Sequence, residues 1–185
     1  MPVRSLEEVR RFVGNGAKRL MELVIPGGEE NPKFEKVFAE YKAHYAKHCN
    51  EKTMPYPHIM ELLARLKERG YKMAIVSNKF YDSVQELKKL YFEDYIPVAI
   101  GEKEGIRKKP APDTVMEALR ELGEEKENAV YVGDSEVDIA TAKNVGIDCI
   151  AVAWGFRTRE EQKKAGGRIF ADGPLDILEL LESER

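Results

Sequence analysis

Three short segments carry side chains able to handle a phosphoester: Ile75-Val76-Ser77-Asn78, Lys109-Pro110-Ala111-Pro112-Asp113, and Val132-Gly133-Asp134-Ser135-Glu136-Val137-Asp138. Each follows or adjoins an apolar run. The Ser77 hydroxyl, the Asn78 amide and nearby backbone N–H groups can donate to phosphate oxygens. Two prolines stiffen the loop after Lys109, and a rigid loop can hold an ammonium where phosphate charge develops. Asp134 and Asp138 stand four residues apart, a spacing that puts both carboxylates on one side of a first helical turn. Such a pair suits Mg²⁺, which takes oxygen ligands and retains several waters. Gly133 allows a close backbone approach. Plainer readings stand beside these. Ser77-Asn78 makes a strand-to-helix turn, Lys109 is a solvated lysine ahead of a helix capped by Asp113, and Asp134 caps a helix whose dipole favours Asp138. Capping accounts for one aspartate but not for the pair, so the third segment is the most specific of the three.

Segments of this kind bind ligands when they lie at the carboxyl ends of parallel strands, and the chain after Pro57 supplies such strands. Apolar runs at Met73–Val76, Pro97–Ile100, Ala129–Val132 and Cys149–Val152 alternate with helical patterns at Ile59–Leu66, at Tyr81–Leu90, over Val115, Met116, Ala118 and Leu119 between an Asp113 cap and Gly123, at Asp138–Asn144 and at Leu175–Leu181. That alternation predicts an α/β fold, a Rossmann-like parallel sheet with helices on both faces. Before Met54-Pro55-Tyr56-Pro57 the pattern is helical throughout. Ser5-Leu6-Glu7-Glu8 is a capping-box sequence. Gly14-Asn15-Gly16 ends the first helix, a second covers Ala17–Val24, and a third runs from about Pro32 to His48 with Phe34, Val37, Phe38, Tyr41 and Tyr45 on one face. The expected organisation is a small helical unit over residues 1–55 and an α/β core over residues 56–185.

Bulk properties exclude several classes. A formal net charge of -3 gives no general attraction to nucleic acid or to an anionic membrane. No apolar run approaches the roughly 18 residues of a membrane span. The start has no apolar signal-peptide region. Two cysteines far apart in sequence, Cys49 and Cys149, do not make a disulfide framework and fit a reduced cytoplasmic setting.

The three segments and their order resemble the haloacid dehalogenase-like hydrolase superfamily, most closely its phosphoglycolate phosphatase branch with a small helical cap. The resemblance covers nearly the whole chain. It implies a Mg²⁺-dependent phosphomonoester hydrolase acting on a small phosphorylated metabolite through a phospho-aspartyl enzyme. Ser77 and Asn78 would bind the transferring phosphate. Lys109 would stabilise nucleophile and phosphate together, Asp134 would ligate Mg²⁺, and Asp138 would support the metal shell. Residues 5–55 would form the cap, where Lys18 and Arg19 either meet a substrate carboxylate or line a solvated helix face. The departure is at the nucleophile. The family carries an Asp-x-Asp on a strand ahead of the cap, central in the sheet between the strands of Ser77 and Asp134, and these 185 residues contain no Asp-x-Asp. The expectations are therefore a truncated chain, a sheet lacking its central strand, impaired or absent turnover, and an exposed gap compatible with a swapped dimer. Two rivals are a non-catalytic phosphate- and metal-binding module and a receiver-like domain phosphorylated on Asp134.

Overall fold

The computed structural model describes residues 3–183. Three helices come first. The helix α1 (Leu6–Phe12) starts on the expected capping box, with Ser5 Oγ accepting from the Glu8 N–H and the Glu8 carboxylate accepting from the Ser5 N–H. The Gly14-Asn15-Gly16 turn leads into α2 (Ala17–Val24), and a 3₁₀ turn leads on towards α3 (Phe34–His48). Met21, Ile25 and Phe34 are buried together, with Val37, Phe38 and Tyr41 packed on them, so these helices hold an apolar cluster of their own.

From Ile59 onward helix and strand alternate. In order they are α4 (Ile59–Glu68), β1 (Ala74–Phe80), α5 (Tyr81–Leu87, running on as a π-helical turn to Phe92), β2 (Val98–Glu102), α6 (Asp113–Leu122), β3 (Val130–Gly133), α7 (Glu136–Val145), β4 (Asp148–Val152), α8 (Arg159–Lys164), β5 (Ile169–Ala171) and α9 (Asp176–Ser183). Every strand pair is parallel, and helices lie on both faces, as the alternation predicts. The ladder, however, is in two pieces. β1 pairs with β2, while β3, β4 and β5 form a second sheet in that order. Among the described residues β1 and β3 share no ladder hydrogen bonds.

One helix joins the two pieces. Val115 and Leu119 of α6 bury against Tyr131 of β3 and against Val76 of β1, and Ala118 of the same helix packs on Val98 and Ile100 of β2. Burying a Val or Leu side chain is worth about 1.5–3 kcal/mol, against about 1 kcal/mol net for a hydrogen bond, so this apolar contact is the main bond between the pieces. The opposite face of the second sheet is covered by Leu62 and Leu66 of α4 and by Ile177 and Leu178 of α9, which pack on Ile150, Val152 and Ala171.

Some local details differ from expectation. β1 does not stop at Val76 but continues through Ser77 and Asn78 to Phe80, with a register shift against β2 after Val76. Asp113 is the first helical residue of α6 rather than its cap, and its carboxylate takes a two-point bond from Arg107 at 2.8 and 2.9 Å. Tyr45, the last aromatic of the expected α3 face, stacks on Tyr41 with ring centroids 5.7 Å apart and also reaches β1. Its hydroxyl accepts from Lys79 Nζ at 2.6 Å and its ring meets Phe80 edge-on. Among the described residues no helix is long and apolar enough to cross a membrane.

Candidate active site

The three segments converge at the carboxyl ends of β1 and β3, joined by one continuous run of hydrogen bonds. Ser77 lies where β1 loses register with β2, and its Oγ accepts from the Lys79 N–H at 3.1 Å. That bond lies within β1, where a strand-to-helix turn is expected but not found, and it leaves the hydroxyl proton free. Asn78 is 6% exposed and its amide is fully engaged. Nδ2 donates to the carbonyls of Gly14 and Lys109, both at 3.0 Å, and Oδ1 accepts from the Lys109 N–H at 2.9 Å. Both amide protons are used, so the side chain has no donor left for a ligand. The side chain instead fixes the Lys109 loop and the Gly14 turn at once.

Lys109 is neither solvated nor free. Its Nζ donates to Asp138 Oδ1 at 2.7 Å and to the Tyr131 hydroxyl at 3.0 Å, with 12% of the side chain exposed. An ammonium has three protons, so one remains for a ligand. Asp138 is the most heavily bonded group of the site. Besides Lys109 it accepts from the Tyr131 hydroxyl at 3.0 Å, from the Ser135 hydroxyl at 2.6 Å, and from the N–H groups of Asp134 at 3.2 Å and Ser135 at 3.1 Å. Burial alone would raise its pKa, but the Lys109 charge and the bonds from Lys109, Ser135 and Tyr131 outweigh burial and hold it below the ordinary carboxylate value. The same environment pushes Tyr131 well above the usual phenol range, through burial first and the Asp138 charge second.

The two aspartates therefore divide their labour. Ser135, not Asp134, is the N-cap of α7, and Asp138 closes a capping box with it. Both oxygens of Asp138 accept from protein donors and so anchor the loop that carries Asp134. Asp134 precedes the helix. Its Oδ2 accepts from the Phe156 N–H at 2.6 Å, and its Oδ1 takes no hydrogen bond among the described residues. Two glycines permit this crowding. A Cβ on Gly133 would stand 2.4 Å from Asp138 Cβ, and one on Gly155 would stand 2.2 Å from Asp134 Cβ.

Mg²⁺ is the ion the resemblance implies, and Asp134 fits it in kind: one hard, open carboxylate oxygen at a strand end. Among the described residues no group of three or more His, Cys, Asp or Glu side chains surrounds a single point. A lone carboxylate accords with Mg²⁺, which keeps waters and takes phosphate oxygens rather than requiring an all-protein cage. Arg19 does not join the cluster. It pairs with Glu22 on its own helix at 2.8 Å and is 53% exposed, the solvated-face arrangement, while Lys18 pairs with Glu29.

Comparison with known proteins decides the family. A family model for haloacid dehalogenase-like hydrolases matches residues 2–152. A phosphoglycolate phosphatase of Aquifex aeolicus is 34% identical over 152 residues, covering 81% of this chain and 69% of the relative. One from Rhodobacter capsulatus is 35% identical over 157 residues, covering 83% and 70%. The chain belongs to the haloacid dehalogenase-like hydrolases. Within that family it is of the phosphoglycolate phosphatase-like branch. A crystal structure from Lactobacillus delbrueckii subsp. bulgaricus, assigned as a phosphoglycolate phosphatase, has a TM-score of 0.88 at 35% identity, covering 96% of this chain and 83% of that one.

Three residues that position this family site escaped sequence reasoning. Tyr131 read as one more apolar strand residue, yet its hydroxyl bridges Lys109 and Asp138. Gln162, 1% exposed in α8, donates to the Asp134 carbonyl at 2.9 Å and to the Val152 carbonyl at 2.8 Å, fixing the loop that carries Asp134. Arg157 ties that loop to α1. Only for Asp138 was there a usable signal: Ser135-x-x-Asp138 is itself a capping-box pattern.

Proposed function

We propose that residues 1–55 act as a cap over a core of residues 56–185, and that the core holds the phosphate- and Mg²⁺-binding half of a phosphoglycolate phosphatase-like phosphomonoester hydrolase. The observation that carries this reading is the hydrogen-bonded run from Asn78 through Lys109 and Asp138 to the Asp134–Ser135 backbone, which holds a free hydroxyl, a free ammonium proton and a free carboxylate oxygen at one strand-end surface. In this assignment Ser77 donates its hydroxyl proton to a phosphate oxygen. The remaining Lys109 proton meets the oxygen where charge grows during transfer, already oriented by Asp138 and Tyr131 so that no reorganisation is needed at that moment. Asp134 offers Oδ1 to Mg²⁺, which when bound would neutralise phosphate oxygens and orient the phosphoryl group. The phosphoglycolate phosphatase activity of the relatives favours a two-carbon acid phosphate as substrate.

These residues bind and neutralise, but none of them is a nucleophile of the kind the family uses. We propose that the 185 residues alone turn over poorly or not at all, and that turnover needs an Asp-x-Asp-bearing strand between β1 and β3, supplied from the same polypeptide or another. The unjoined ladders support a place for it, as does Val132, an apolar residue within β3 that is 43% exposed. The test is hydrolysis of phosphoglycolate with Mg²⁺, paired with calorimetry of Mg²⁺ and phosphate. Binding without turnover, with turnover restored by an added apolar peptide ending in Asp-x-Asp, is the expected result. Turnover by the chain alone that needs Lys109 and Asp134 would show that another group attacks phosphorus. Turnover indifferent to both would remove their roles.

A further inference from the structure

A buried arginine outside the phosphate site joins α1 to the loop that supports Asp134. Arg157 is 8% exposed, and its guanidinium makes five bonds in two directions. Towards the core it grips Glu136, the first residue of α7, from Nε at 2.7 Å and from Nη2 at 3.0 Å. Towards the cap it donates to the carbonyls of Arg10 at 3.0 Å, Arg11 at 3.4 Å and Val13 at 3.1 Å, which are the carbonyls α1 leaves unpaired at its C-terminal end. A cation at that end also meets the negative pole of the helix dipole. The cap returns the contact: Arg10 donates from Nε to the Phe156 carbonyl at 2.8 Å and from Nη2 to the Gly155 carbonyl at 3.2 Å. Between those two carbonyls lies the Phe156 N–H that holds Asp134 Oδ2, and Gly155 is pressed against the Asp134 side chain.

We propose that Arg157 is a positioning residue that makes the end of α1 and the Asp134 carboxylate one mechanical unit, so that seating of the cap and the aim of the metal-binding oxygen are thermodynamically linked. The inference rests on the assignment of Asp134 to Mg²⁺ for its consequence and on the geometry alone for its existence. A guanidinium is the group this joint needs, because a planar fork can serve a carboxylate and a row of carbonyls together, whereas the point charge of a lysine cannot. Coupling between two sites is reciprocal, so Mg²⁺ should also steady α1.

The experiment uses the full chain, with Arg157→Lys and Arg10→Ala as variants. Amide exchange is followed at Val13, whose N–H bonds to the Val9 carbonyl, and at Phe156, while calorimetry gives Mg²⁺ affinity. Arg157→Lys is expected to speed exchange at both amides together and to weaken Mg²⁺ binding by roughly tenfold, the size usual for groups that orient a metal ligand. Arg10→Ala, which removes no buried charge, should act in the same direction more weakly and covers the case in which Arg157→Lys fails to fold. In the wild-type chain Mg²⁺ should slow exchange at Val13. Faster exchange at Val13 with Phe156 unmoved in both variants would overturn the joint. Unchanged Mg²⁺ affinity with both amides freed would overturn its link to the metal. Absence of any Mg²⁺ heat in the wild type would defeat the metal assignment instead, and the two amides would still decide whether the joint exists.

Discussion

Replacing Lys109 by methionine isolates the buried ion pair with Asp138. The substitution keeps most of the side-chain volume and removes the ammonium, leaving Asp138 with its side chain only 8% exposed and without its counter-charge. Breaking one half of a buried ion pair costs roughly 3–5 kcal/mol. Four other donors remain on Asp138, from Tyr131, the Ser135 hydroxyl and the backbone of Asp134 and Ser135, so the lower end, about 3 kcal/mol, is expected. With a urea slope of about 1–3 kcal/mol per molar, the unfolding midpoint should fall by about 1–3 M at neutral pH. The pH dependence gives the sharper check. In the wild type the depressed pKa of Asp138 adds stability that is fully present above the ordinary value of 3.8 and is lost as pH falls through the lower folded value. In the variant the main influence opposing burial is gone, so the Asp138 pKa rises, and acidification towards about pH 4 relieves the unpaired charge. The gap between the two proteins should therefore narrow as pH drops from about 7 to about 4. A variant as stable as the wild type at neutral pH, or a gap that stays constant on acidification, would refute the view that this pair is held by mutual neutralisation.

Two further outcomes follow from the same region. Burial, reinforced by the Asp138 charge, pushes the Cys149 thiol up to about 12, so alkylation at about pH 8 mapped to that residue should run at least about tenfold slower in the folded chain than in urea. Ser77→Ala should weaken phosphate binding measured by calorimetry while shifting thermal stability by no more than about 0.5 kcal/mol, because the hydroxyl makes only the local bond to the Lys79 N–H.

How far the sequence could be read tracks how local each determinant is. The capping box at Ser5 and Glu8 and the span Ala17–Val24 were legible because their partners lie within one turn. The family could be read from three strand-end segments for the same reason: each is a short run whose residue types suffice. β5 escaped because three residues carry no periodicity, and α8 because its six residues are mostly charged. The roles of Asn78 and Arg157 were out of reach, since apart from Glu136 their partners are main-chain groups 31 to 147 positions away, which any residue supplies. For Asp138 the sequence held two compatible patterns, a metal pair with Asp134 and a capping box with Ser135. Only the count of donors on its oxygens separates them.

That separation bears on how the proposed binding site could be assembled without an Asp-x-Asp. In the paired-ligand picture both aspartates wait for a cation, and two unscreened carboxylates would repel each other across the site. With Asp138 neutralised by Lys109 and saturated by neighbouring donors, the repulsion is absorbed inside the protein, and only Asp134 presents open charge. Lys109 is placed by Asn78 on β1 and by Asp138 on α7, so the one ion pair also spans the two unjoined sheets. Lys109 and the Asp134 loop are thus held by contacts among themselves and by α6 beneath them, with no support drawn from a strand between β1 and β3. On the proposed assignment, a nucleophile brought to that place would meet a surface already organised, so that recognition of phosphate and the chemistry performed on it would be separable steps.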